Sequence, residues 1–270
     1  MSVAAAVLLG IIQGLTEFLP VSSSAHLILA RTFFGWEVPP EFGLAFDVAL
    51  HVGTLAAIMA FFRTEIAAMV RSLPLALSSD ATPSARLARL IGIGTVPVVL
   101  VGVAFNDYIE NVLRTPAVAA GALAVGAVAM LVAERLGPRV RTENELTWMD
   151  AVLIGCAQAS ALIPGMSRSG STIAMGMFLG VRRDSAARFT FLLAIPAMVA
   201  AAAKEALALR DMPLPPGSSQ AIAAGMIVSA AVGYLTIKYF LRFLGGHKLD
   251  VFAGYRLLLA AATVLWLIRH

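Results

Sequence analysis

The sequence predicts an all-α integral membrane protein built as an inverted repeat, each half a re-entrant helical hairpin followed by three transmembrane helices. Three observations predict it: the composition, the lengths of the apolar stretches, and the same order of elements in both halves. Of 270 residues, 59% are apolar and 13% charged, with a mean hydropathy of +0.86. A soluble domain carries about 25% charged residues, so too few charges are present here to cover a water-facing surface. The excess apolar surface must face lipid. That excludes a soluble enzyme, a disordered chain, a collagen and a disulfide scaffold. The one cysteine, Cys156, lies in an apolar run and has no internal partner. The formal charge of +4 is expected to follow membrane topology, not to serve a nucleic acid.

Six stretches approach the roughly 20 residues that cross a hydrocarbon core: 44–62, 88–105, 116–134, 187–203, 221–240 and 250–268. Four others are too short. Val3–Leu15 ends at Thr16-Glu17, and Ala25–Phe34 follows Ser22-Ser23-Ser24. Ala151–Ile163 stops at Pro164-Gly165, and Ser171–Val181 follows Ser167-Arg168-Ser169-Gly170. Backbone at membrane depth needs hydrogen-bond partners, so such breaks belong where protein surrounds them or a polar cavity opens. Each pair is therefore predicted to be a re-entrant hairpin. Val3–Ile12 has no basic residues before it and is not read as a cleaved signal.

The chain is expected to form a single membrane domain, 1–270, with pseudo-repeats at about 1–135 and 150–270. Gly10-Ile-Ile-Gln13 is matched by Gly155-Cys-Ala-Gln158, Pro20 by Pro164, and Ser22-x-Ser24 by Ser167-x-Ser169. Phe46, Leu50, Gly94, Gly102 and Ala120-Gly121 have counterparts in Phe189, Leu193, Gly225, Gly233 and Ala253-Gly254. An odd number of crossings per half makes the second half inverted, and broken helices at matching positions are where such folds build polar sites. With this layout the loops near 63–89, 135–149, 182–188 and 238–249 hold thirteen Lys and Arg, against five on the other side. The positive-inside rule then makes the first side cytoplasmic and puts both termini outside.

In the first break, Gln13 and Glu17 stand four apart on one helix face. A carboxylate at membrane depth is by default a functional candidate; the alternative is a protonated glutamate bonded inside the bundle. His26, three residues after Ser23, offers a base beside a hydroxyl, although a lone histidine is more often a structural hydrogen bonder. The second break sets Arg168 among Ser167, Ser169, Ser171 and Thr172, with Gly165 and Gly170 nearby. A guanidinium at a helix start suits a phosphate. A plain structural pairing of Arg168 with Glu17 is the competing reading. No mononucleotide-binding loop signature occurs.

Together the breaks suggest a membrane-embedded site for a phosphorylated, lipid-linked substrate. Arg168 would neutralise phosphate charge, Ser23 or water would attack, and Glu17 would hold a cation such as Mg²⁺. A secondary transporter or flippase of a lipid phosphate is the alternative, and the hydroxyl, imidazole and carboxylate together argue against it. Asp47 and His51, at i and i+4, either approach this site or form an interhelical bond. Asp150 reads as an N-cap, Arg256 as snorkelling or paired in the bundle, Trp36 and Trp148 as interfacial aromatics, and Pro213-Leu-Pro-Pro-Gly-Ser-Ser as a loop without chemistry. The glycines at 121 and 126 are a candidate homodimer face.

These same residues resemble the undecaprenyl-diphosphate phosphatase family, also called the bacitracin resistance protein family. Gln13-Gly-Leu-Thr-Glu17 with its trailing serines is similar to that family's Glu/Gln-x-x-x-Glu motif. Pro164-Gly-Met-Ser-Arg-Ser-Gly-Ser-Thr172 is similar to its Pro-Gly-x-Ser-Arg-Ser-Gly-x-Thr motif. The resemblance implies hydrolysis of undecaprenyl diphosphate to the monophosphate and inorganic phosphate, which recycles the carrier for peptidoglycan and confers bacitracin resistance. It implies a multi-pass protein of the bacterial inner membrane, working from the periplasmic side and stimulated by a divalent cation, Mg²⁺ or Ca²⁺. By motif position, Glu17 with Gln13 would be the acidic or metal-linked pair, Ser23 and His26 the nucleophile or base pair, and Arg168 with Ser167, Ser169 and Thr172 the diphosphate holder. Ala25 replaces the family's usual glycine, and Gln13 its glutamate, which weakens a two-carboxylate metal site.

Overall fold

The computed structural model describes residues 1–35, 40–75, 82–208 and 218–269. In chain order the helices are α1 (Val3–Thr16), α2 (Ser23–Phe34), α3 (Pro40–Phe61), α4 (Arg63–Ser72), α5 (Pro83–Ala104), α6 (Asn106–Tyr108), α7 (Pro116–Leu136), α8 (Trp148–Ser160), α9 (Arg168–Phe178), α10 (Arg183–Ala208), α11 (Ser218–Leu244) and α12 (Asp250–Arg269). A π-helical turn, Ile109–Leu113, continues α6. The sole bridge among the described residues joins Arg141 to Val181. Six helices, α3, α5, α7, α10, α11 and α12, are long and apolar enough to cross a membrane. They leave Leu100, Val103, Leu258 and Ile268 exposed, an outward apolar face that lipid covers. The protein is a multi-pass, all-helical membrane protein.

The spans begin where local chemistry allows. Thr82 and Thr115 cap α5 and α7 with side-chain oxygens that accept from Ala85 N at 3.2 Å and Val118 N at 3.3 Å, each followed by a proline at the first helical position, where its missing N–H costs nothing. Asp150 is not the N-cap of α8. Thr147 is, and Asp150 sits at the third helical position, completing a capping box in which each side chain satisfies the other's backbone N–H.

The half-length helices α2 and α9 start earlier than their apolar runs suggested, at Ser23 and Arg168. Each is preceded by a serine in the left-handed region: Ser22 at φ 73° and Ser167 at φ 68°. That conformation costs a non-glycine residue about 1–2 kcal/mol, and it turns the chain sharply enough to bring the polar residues into the first helical turn. Ser167 Oγ accepts from Gly170 N at 3.2 Å. Another departure is α4, a helix after the buried Phe62 in a segment taken as a loop. Its apolar and charged residues divide between faces, a surface-helix pattern.

Close backbone packing holds the first half-helices. Helix α1 packs on α11, and α8 on α5. A Cβ added at Gly10 would sit 2.7 Å from Gly225 O, and one at Gly155 only 2.3 Å from Gly94 O; any side chain there would force the helices apart. Phe18, directly after Glu17, is fully buried and meets Phe191 edge-on at 5.6 Å. Phe191 in turn packs against Phe62 and Phe240, so the end of α1 is anchored in the aromatic core.

Charged residues of the four basic segments gather at one end. The buried Glu134 accepts from Arg139 at 2.7 Å, Arg183 Nε at 2.9 Å and Leu249 N at 3.2 Å. Nearby, Arg188 pairs with Glu65 at 3.0 Å, Arg86 donates to Leu146 O at 2.7 Å, and Arg141 pairs with Asp150 at 2.6 Å. Trp148 is exposed; Trp36 and the 213–217 part of the proline-rich stretch lie outside the described residues. The α7 glycines divide: Gly121 faces open space, whereas Gly126 makes room for the Arg256 guanidinium.

Candidate active site

Glu17 is the C-cap of α1, its N–H bonded to Gln13 O. A helix C-terminus carries partial negative charge, so a largely buried carboxylate there needs strong compensation. It receives it from three donors. Gln13 Nε2 donates to Oε2 at 3.0 Å, Ser23 Oγ donates to the same oxygen at 2.6 Å, and Arg168 donates to Oε1 at 2.6 Å. His51 Nε2 stands 3.8 Å from Oε2. The short Arg168 contact is a charge-assisted bond that ties the start of α9 to the end of α1.

His51 has a defined orientation. Its Nδ1 lies 2.8 Å from Asp47 O, a carbonyl that only accepts, so Nδ1 carries the proton and Nε2 faces the carboxylate. These groups border a cavity of about 330 Å³. Glu17, Ser22, Ser23, Ser24, His51, Gln158, Ser167 and Arg168 form its polar wall; Leu44, Val48, Val98, Leu162 and Met198 form its apolar wall; Arg114 and Glu205 add charge.

The structure thus brings Gln13, Glu17, Ser23 and Arg168 around one carboxylate, with Ser167 on the same cavity. It places His26 elsewhere. Its Nδ1 donates to Ser22 O at 2.7 Å and its Nε2 meets Tyr255 Oη at 2.7 Å, with the ring stacked on Tyr255. The hydroxyl of Ser23 goes to Glu17, not to an imidazole. Ser169 and Thr172 lie behind the cavity wall. Ser169 Oγ donates to Leu19 O at 3.0 Å, and Thr172 Oγ1 donates to Arg168 O at 2.7 Å, so both hold the turn that presents Arg168. Asp47 pairs with Arg31, fixing α2 to α3.

Arg256 does not snorkel, and among the described residues it meets no carboxylate. It is fully buried and donates to Leu123 O at 3.1 Å, Pro20 O at 3.3 Å, Ala122 O at 3.2 Å, Gly165 O at 2.9 Å and Met166 O at 3.0 Å. Pro20 belongs to the first polar break, and Gly165 and Met166 to the second. One guanidinium therefore satisfies carbonyls from both, which irregular backbone at this depth requires. His51 takes the first of the two readings its sequence offered, approaching the site, whereas Gln158 carried no reading beyond its repeat position. In the sequence, the i, i+4 spacing from Asp47 pointed to His51, and Gln158 stood only as the counterpart of Gln13.

Among the described residues no three His, Cys, Asp or Glu side chains group into a metal site. Gln13 turns its Nε2 to Glu17, and its Oε1 is buried without a hydrogen-bond partner among the described residues. A carboxylate and an amide oxygen are hard donors of the kind Mg²⁺ takes together with phosphate and water.

The chain matches the family model described as bacitracin resistance protein BacA over residues 6–262. A protein named undecaprenyl-diphosphatase from Rubrobacter xylanophilus is 43% identical over 268 residues, 97% of each chain. One of that name from Moorella thermoacetica is 40% identical over 271 residues, the whole of both chains. Another, from Nitrosococcus oceani, is 44% identical over 254 residues, 94% of each. At this identity and coverage, with both polar motifs lining one cavity, the chain belongs to the bacitracin resistance protein BacA family.

Proposed function

We propose that the protein is an undecaprenyl-diphosphatase, which hydrolyses undecaprenyl diphosphate to undecaprenyl phosphate and inorganic phosphate. It thereby recycles the lipid carrier for peptidoglycan synthesis and confers bacitracin resistance. One observation carries the mechanism: Ser23 and Arg168 hold the two oxygens of Glu17 at 2.6 Å each on the wall of a cavity of headgroup size. In phosphoryl transfer the protein must place a nucleophile in line and neutralise the equatorial oxygens. Arg168, which spends one N–H on Glu17, presents its remaining donors to the terminal phosphate, and Ser167 lines the same wall. Glu17 takes the proton from the attacking oxygen, that of Ser23 or of a water beside it. The bond from the terminal phosphorus to the bridging oxygen breaks, and the electron pair leaves with undecaprenyl phosphate. With Ser23 as nucleophile, water then releases phosphate from the serine. His51 Nε2 is placed to pass the proton from Glu17 to the cavity. His26 acts as a positioning residue, because its bond to Ser22 O braces the left-handed turn that aims Ser23.

Glu17 and Gln13 Oε1 would hold a divalent cation, Mg²⁺ or Ca²⁺, which when bound supplies positive charge against the diphosphate. The proposed architecture is the inverted repeat of 1–135 and 150–270 with both helix pairs re-entrant. The exchanged contacts Gly10–Gly225 and Gly155–Gly94 and the paired left-handed serines support it. The thirteen-to-five division of basic residues supports an orientation in the bacterial inner membrane with the Glu134 end in the cytoplasm and both termini and the active site toward the periplasm. A homodimer through α7 would use the open Gly121 face.

The test is phosphate release from undecaprenyl diphosphate by protein purified in detergent, with and without EDTA. Release that EDTA suppresses is the expected result. Proton- or sodium-coupled movement of the lipid without release would assign the cavity to transport instead.

A further inference from the structure

Two glutamines stand at matching places in the two halves, Gln13 on α1 and Gln158 on α8. Both are almost fully buried, and each lies nine residues before a left-handed serine, Ser22 or Ser167. Their surroundings differ. Four residues after Gln13 comes Glu17, which accepts from Gln13 Nε2 at 3.0 Å. Four residues after Gln158 comes Leu162, which offers nothing. Both Nε2 and Oε1 of Gln158 have no hydrogen-bond partner among the described residues, and Gln158 lines the cavity beside Ser167 and Arg168.

A buried amide with neither end satisfied destabilises the fold, and native proteins rarely retain one without a use. An apolar residue of similar shape would pack there at lower cost. The amide's chemistry suits a protonated or partly protonated phosphate. Its N–H groups donate to a nonbridging oxygen, and its carbonyl accepts from a P–OH or from a water bound to the headgroup.

We propose that Gln158 is a substrate-contacting residue whose side-chain amide binds the diphosphate headgroup beside Arg168. On this assignment the two halves have divided one ancestral pattern. Gln13 orients the carboxylate, and Gln158, with no carboxylate to orient, binds the anion. The proposal rests on the diphosphatase reading for the identity of the anion.

The experiment compares the parent protein with Gln158→Met and Gln158→Glu. It reads KM and kcat for undecaprenyl diphosphate, the inhibition constant of inorganic pyrophosphate, and the unfolding temperature. Gln158→Met is expected to unfold at the same temperature or higher, because a costly buried amide is gone. Its KM and its pyrophosphate inhibition constant should each rise about tenfold or more, the loss of a hydrogen bond to a charged group, with kcat changing less. Gln158→Glu should weaken pyrophosphate further by charge repulsion, and it serves as the readout should the methionine form fail to fold. Unchanged KM and pyrophosphate inhibition in a folded variant would overturn the proposal and leave Gln158 a structural residue. If the parent protein hydrolyses nothing, the diphosphatase reading fails by itself. Calorimetric binding of inorganic pyrophosphate then decides: a tenfold weaker titration in the variant supports the anion contact, and equal titrations overturn it.

Discussion

The two broken helix pairs share a backbone and differ in charge. Each turns on a serine near φ 70° and begins its second helix one residue later, at Ser23 in the first and Arg168 in the second. Each also packs its first helix through a glycine contact on a span of the other half. At equivalent places, however, the first pair has Glu17 and Ser23 where the second has Leu162 and Arg168. One frame delivers an acceptor and a hydroxyl, the other a cation and a free amide. The difference teaches that the same backbone turn carries opposite chemistry, decided by the side chains at single positions. Neither pair alone makes a site; the 2.6 Å contact between Glu17 and Arg168 does.

The sharpest way to break this comparison is to remove the charges that distinguish the pairs. Arg168→Ala should lower kcat/KM for undecaprenyl diphosphate by about 10²–10³-fold, the usual loss of a transition-state donor. Glu17→Gln and Ser23→Ala should each cost a similar factor. The double variant should cost little more than either single one, because two groups that act as a unit are not additive. Phosphate-release kinetics check all four proteins, and additive losses would mean that Ser23 and Glu17 act separately.

A smaller effect separates scaffold from chemistry. Arg256→Met should destabilise the protein by about 3 kcal/mol or more, since it strands buried carbonyls from both breaks. Its thermal unfolding should show this directly, and residual activity at low temperature should keep the parent KM if Arg256 only braces the turns. The smallest effect concerns Asp150, which lies outside the spans. Burial pushes its carboxyl up, but bonds from Arg141 and Thr147 outweigh that and hold it below its ordinary value. A carboxylate depressed in the folded protein contributes stability above its unfolded pKa, about 3.9, and that contribution fades as pH falls through the folded value. Asp150→Asn should therefore flatten the acid side of the unfolding-temperature profile and leave the neutral side merely lowered.

The spans could be read from the chain because each is a long apolar run, and a run of twenty such residues has few alternatives in water or lipid. The start of α5 lies five residues before its apolar window, where Thr82 sets a cap that such a window does not detect. At 63–72 the charged residues read as a loop and mask a surface helix, α4. Gln13, Glu17, Ser23 and Arg168 stood out as polar residues in apolar surroundings, and they meet. His26 stood out for the same reason, yet its ring turns to Tyr255, more than two hundred residues away in sequence. A spacing of three from Ser23 gave no hint of that partner. His51 reaches Glu17 only because α3 passes the end of α1, and Arg256 reaches both breaks only because α12 lies against α7.

Composition and hydropathy alone determined that the chain resides in a bilayer, how many times it is able to cross, and which short segments are too polar to cross unaided. Those outcomes depend on the transfer of local stretches from water to lipid, and local stretches are written consecutively. The tertiary structure decided which oxygen of Glu17 faces which donor, where each imidazole points, and that Arg256 closes the backbone of both turns. Such contacts join residues far apart in sequence, and they are fixed by the packing of helices whose glycine faces allow only one close approach.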